Sequence, residues 1–65
     1  MDKATELNER YNLCRDTIDI CCQAICMGRY VEQNRQRNGE MQAEIAEIRA
    51  EAERLGIELV RRRPY

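Results

Sequence analysis

Apolar residues recur along this chain at alternating steps of four and three. Leu7, Tyr11, Cys14, Ile18, Cys21 and Ile25 form one run, and Met41, Ile45, Ile48, Ala52, Leu55 and Leu59 form another. Steps averaging 3.5 residues keep each run on one stripe of an α-helix, because the helical turn is 3.6 residues. Beside the first run lies a second row, Leu13, Thr17, Ile20, Ala24, Met27 and Val31. At 100° per residue the two rows together span about 160° of the helix surface, more than one partner helix covers. The first helix is therefore expected to touch at least two others. The opposite face, with Asn8, Glu9, Asn12, Arg15, Asp16, Asp19, Gln23 and Arg29, reads as the solvated side.

The pattern predicts a single all-α domain over residues 1–65, built as a hairpin of two antiparallel helices. The first helix is expected over about 2–37, a turn at 38–39, the second helix over about 40–55 and a tail over 56–65. Asn38-Gly39 is a turn-type dipeptide. Arg29, Arg35 and Arg37 precede it and Glu40, Glu44 and Glu47 follow it, the charges that suit a helix C-terminus and N-terminus. Leu55-Gly56-Ile57 has the form of a Schellman ending, with Gly56 in the left-handed conformation. Pro64 ends any regular structure in the tail. The alternative is one long helix in a parallel coiled coil, with Asn34 and Asn38 as polar core positions. Gly39 opposes it, since an interior glycine costs ~1 kcal/mol.

Size turns this pattern toward self-association. A chain of 65 residues without Phe or Trp has little to bury, and small domains draw stability from staples, metals, idealised packing or a second chain. A homodimer, two hairpins forming a four-helix bundle, is the expected assembly. Its core and interface residues are expected to be Leu7, Tyr11, Cys14, Ile18, Cys21, Ile25, Met41, Ile45, Ile48 and Leu55.

The charge balance and the motifs point away from chemistry. Charged residues make up 35% of the chain, yet the formal net charge is only -1, so no global field draws it to nucleic acid or membrane. No apolar run approaches the ~18 residues of a membrane span and no apolar leader is present, so a cytoplasmic location is expected. There the thiols of Cys14, Cys21, Cys22 and Cys26 are expected to be reduced. Cys22 and Cys26, one helical turn apart, match no single-chain zinc motif; they reach four sulfurs only across a dimer. No cofactor or metal is expected within one chain. No nucleophile stands beside a base and no phosphate loop is present, so no enzymatic activity is expected. Arg61, Arg62 and Arg63 form a short basic run. They are candidate phosphate contacts, but nothing around them reads bases, and a solvated tail, or one lying on an acidic helix surface, is favoured.

In size, hairpin layout and lack of catalytic motifs, the chain resembles the small helical accessory proteins from the early regions of lambda-like temperate bacteriophages. The likeness covers the whole chain and is architectural, resting on two heptad runs flanking Asn38-Gly39. It implies a regulatory role through contacts with host or phage proteins in the bacterial cytoplasm, and it transfers no functional residue. The function expected is a non-catalytic protein–protein interaction module. The alternative is a small dimeric nucleic-acid-associated regulator that uses its arginine tail.

Overall fold

Two helices of nearly equal length face each other along their apolar stripes. The computed structural model describes residues 2–62. Helix α1 covers Lys3–Cys26 and helix α2 covers Val31–Leu55. They pack as an antiparallel hairpin, and no strand occurs among the described residues. The hairpin excludes the single long helix. The molecule measures 39 × 26 × 16 Å.

The chain reverses at Met27–Tyr30, eleven residues before the Asn38-Gly39 dipeptide expected to do so. Gly28 takes φ +72° and Tyr30 takes φ +44°. Gly28 closes α1 as a Schellman motif: Arg29 N–H donates to Ala24 O at 2.9 Å, and Gly28 N–H to Ile25 O at 3.0 Å. Asn34 then ties the reversal to α2, its Nδ2 donating to the carbonyls of Arg29 and Tyr30, each at 3.0 Å. Gly39 lies inside α2.

The reason is register. With the reversal centred between residues 29 and 30, Leu7 and Ala52 stand equally far from it, as do Tyr11 and Ile48, Cys14 and Ile45, and Ile18 and Met41. Apolar meets apolar at every step. A turn at 38–39 would instead set Met41, Ile45 and Ile48 opposite Gln36, Glu32 and Arg29. Burial of four apolar pairs outweighs the ~1 kcal/mol that Gly39 costs inside a helix.

The core contains Leu7, Tyr11, Cys14, Ile18, Ile45, Ile48 and Ala52, with Met41, Ile57 and Leu59 packed partly buried against it. Cys21 is also buried. Ion pairs edge the seam, Lys3 to Glu51 at 3.0 Å and Arg10 to Glu44 at 3.7 Å. The Arg49 guanidinium stands 5.9 Å from the centroid of the Tyr11 ring. At the start of α1, Asp2 Oδ1 accepts the Thr5 N–H at 2.7 Å, the side-chain cap that a helix N-terminus needs. Helix α2 ends with Gly56 at φ +69°, and Ile57 N–H donates to Ala52 O at 2.8 Å. This second Schellman motif turns Ile57 back onto the core.

Leu55 does not belong to the core, being 48% exposed. Its register partner would be Ala4, in the first turn of α1, where the opposing helix is ending and offers only a methyl group. Ala52 is the last buried position of α2.

Candidate interaction surfaces

Helix α1 has three working faces, set roughly 120° apart by the 100° step between residues. The first is the core seam. The second carries the chain's C-terminal segment. The third is bare.

The second face is built from Asn8, Asn12, Asp16 and Asp19. After Gly56 the chain runs extended along α1, with Ile57, Leu59 and Arg61 partly buried and Glu58, Val60 and Arg62 exposed. Asn8 grips the segment at one repeat: its Nδ2 donates to Glu58 O at 3.1 Å, and its Oδ1 accepts Val60 N–H at 2.7 Å. Asn12 grips the next, with Nδ2 donating to Val60 O at 2.9 Å and Oδ1 accepting Arg62 N–H at 2.6 Å. Each amide thus behaves as a peptide unit of a neighbouring strand. The spacing matches because four helical residues rise about 6 Å and two extended residues about 6.6 Å. Asn12 is only 4% exposed.

Arg61 completes the face. Its Nη2 donates to Asp16 Oδ1 at 2.8 Å and Asp19 Oδ2 at 3.0 Å, and its Nη1 to Asn12 Oδ1 at 3.1 Å. The two carboxylates, Asp16 foremost, raise the Arg61 pKa, so its charge persists at any accessible pH. The arginine run offers three candidate phosphate contacts. Of its members, Arg61 is committed to α1, Arg62 is exposed, and Arg63 lies outside the described residues, as does Pro64.

The third face is the row beginning at Leu13. Leu13, Ile20 and Met27 are 67%, 65% and 59% exposed, although the core seam running beside them is sealed. Thr17 and Ala24 lie between them, and Thr17 Oγ1 is satisfied by Leu13 O at 2.9 Å. A shallow groove lined by Arg10, Leu13, Cys14, Thr17, Arg37, Met41 and Glu44 joins this row to α2. Here the large aliphatic side chains meet water without cover.

The remaining candidates from the sequence are dispersed. Leu7, Tyr11, Cys14, Ile18, Cys21, Ile45 and Ile48 are buried; Ile25 and Met41 are half-buried. Burial foremost, then Glu44, pushes the Cys14 thiol up, which keeps it protonated. Cys22 and Cys26 are exposed, Cys22 Sγ accepting from Asn38 Nδ2 at 3.7 Å. Among the described residues no three His, Cys, Asp or Glu side chains gather in a metal-holding group. No described helix is long and apolar enough to cross a membrane.

Asn8 and Asn12 were missed as functional positions because polar residues on an exposed helix face read as solvated. Two signals were present: an Asn pair one helical turn apart, and a tail whose Ile57, Leu59 and Arg61 alternate at the period of an extended chain. Comparison of the chain with protein-family models, curated proteins and solved structures found no match.

Proposed function

We propose that this chain is a small, non-catalytic protein–protein interaction module that works as a homodimer, two hairpins joining through the Leu13–Ile20–Met27 row into a four-helix bundle. The observation that carries this reading is the exposure of that row. Its members recur every seven residues with small residues between them, the form of a two-helix seam.

Charge favours a second copy as the occupant, in antiparallel orientation. Glu6 and Glu9 flank the N-terminal end of the row, and Arg29 follows its C-terminal end. Antiparallel pairing about Ile20 sets Leu13 against Met27 of the partner subunit and brings the acidic end beside the basic one. Parallel pairing would stack like charges. Burying the exposed part of such side chains is worth about 1–2 kcal/mol each. Set against the several kcal/mol that association costs, the six side chains of the two copies leave an affinity between about millimolar and, at the tightest, about micromolar. Cys22 and Cys26 lie on the far side of α1 from the row, so this pairing does not bring them together across the dimer.

The reading carries with it a cytoplasmic location and, by the phage resemblance, host or phage proteins as partners in regulation. The nucleic-acid alternative is weakened by Arg61, whose guanidinium is held by Asp16 and Asp19. Light scattering across a dilution series tests the self-association: twice the chain mass is expected, falling to one chain mass in Ile20→Glu without loss of helicity. A wild-type chain that stays folded and monomeric at concentrations of about 10 mM, well above the weakest Kd in that range, would overturn it.

A further inference from the structure

We propose that the Asn8–Asn12–Asp16–Asp19 face of α1 is a receptor for extended protein segments of the pattern apolar-x-apolar-x-Arg, and that the chain's own tail is its resident occupant. This deepens the reading as an interaction module by naming a partner chemistry, and it concerns a different face from the one assigned to the dimer.

The polar part of the receptor is built on α1 alone, and its apolar part is the core between α1 and α2. Asn8 Nδ2 donates to Ala4 O at 2.9 Å and Asn12 Nδ2 to Asn8 O at 2.8 Å, both bonds within the helix. These bonds hold each amide from within the helix, with its Oδ1 and second N–H turned to the tail. What these groups bind is main chain, the Glu58 and Val60 carbonyls and the Val60 and Arg62 N–H groups. Any extended segment presents those atoms at the same repeat. Side-chain selection is left to two features. Ile57 and Leu59 pack against the core, and the carboxylates of Asp16 and Asp19 receive an arginine.

The occupant is held in a way that permits exchange. It joins α2 through Gly56, whose missing Cβ has open space around it. Among the described residues no backbone–backbone hydrogen bond holds residues 58–62, whose main chain is held by the Asn8 and Asn12 side chains instead. A tethered segment competes at an effective concentration of about millimolar. An incoming segment therefore succeeds when it is locally abundant, binds more tightly, or arrives after the tail is engaged elsewhere.

The test uses the full chain and a fluorescein-labelled peptide of residues 57–65. Arg61→Glu sets a carboxylate against Asp16 and Asp19 and loosens the resident tail, so the peptide should bind this variant at least tenfold more tightly than wild type by anisotropy. Adding Asn12→Ala should reverse that gain at least tenfold, and a peptide with glutamate in place of its Arg61 should not bind. A folded Arg61→Glu chain that binds the peptide no better than wild type, or that is indifferent to Asn12→Ala, would overturn the proposal. Should Arg61→Glu not fold, hydrogen exchange on the wild-type chain decides. Millimolar unlabelled peptide should accelerate exchange at the Val60 and Arg62 amides and leave those of Ile45 and Ile48 unchanged; no acceleration would overturn the proposal. Repeating the titration in an Ile20→Glu background separates this site from self-association, because peptide binding should persist there whether or not the dimer does.

Discussion

Two rows of apolar residues run side by side on α1 and meet opposite fates. The row of Leu7, Tyr11, Cys14, Ile18 and Cys21 is sealed under α2, while Leu13, Ile20 and Met27 stand in water. Periodicity is the same in both. The difference lies in what the rest of the chain supplies: α2 carries one matching stripe, and its register is consumed by the first row. A heptad row announces that a surface is to be covered; only the inventory of partners says by what. Having none within the described residues, the second row is the basis for proposing a second copy.

The sharpest break of this comparison is one substitution made on each row. Ile18→Asp, in the sealed seam, buries a charge without a partner and should cost about 3–5 kcal/mol. That is enough to unfold a domain this small, and circular dichroism should show the loss of helix. Ile20→Asp, two residues away, should leave helicity intact and change only the molar mass. Equal loss of helix in both would abolish the distinction between the rows.

The tail gives the next largest effect. Asn12→Ala removes two hydrogen bonds to the Val60 and Arg62 main chain and one to Arg61, and should cost about 1–3 kcal/mol in chemical denaturation. Asn38→Ala, on the other helix, serves as the control and should change stability little.

Gly39→Ala runs in the opposite direction. Gly39 lies within α2 and a Cβ there would meet nothing within 4 Å. The substitution should therefore stabilise the chain by about 1 kcal/mol. A turn at this position would make the same change destabilising, so the sign alone reports where the chain reverses.

The smallest effect is acid sensitivity. Hydrogen bonding from Thr5 lowers the Asp2 pKa, and hydrogen bonding from Lys3 lowers that of Glu51. Folded-state pKa values below the unfolded ones make these contributions complete above the ordinary carboxylate range and lost as pH falls through the lowered values. Thermal melts should thus show a modest decline beginning below about pH 4.5. Lys3→Met together with Asp2→Asn should flatten it.

Much of the fold was legible in the sequence, and the shortfall has identifiable causes. Two heptad runs specified two helices and an antiparallel hairpin, and Leu55-Gly56-Ile57 marked the end of α2. The turn was misplaced because Asn38-Gly39 and its flanking charges offered a strong local signal, whereas the deciding term was long-range register. Pairing positions equidistant from each possible turn would have exposed the conflict of Met41, Ile45 and Ile48 with Gln36, Glu32 and Arg29. Leu55 was assigned to the core because periodicity does not know where the opposing helix begins. The Asn8–Asn12 ladder was missed for another reason. Its ligand is main chain, so the sequence carries it only indirectly, in the Asn8–Asn12 spacing and the alternation of Ile57, Leu59 and Arg61.

Isotope-filtered nuclear Overhauser spectroscopy on a mixture of labelled and unlabelled chains tests the central claim, that the bare row of α1 is closed by a second copy. Contacts between Ile20 methyls of different chains, together with contacts from Leu13 of one chain to Met27 of its partner, are the predicted result. An absence of interchain contacts at concentrations of about 10 mM, above the weakest expected Kd, or interchain contacts confined to Leu7, Ile18 and Ile48, would contradict it.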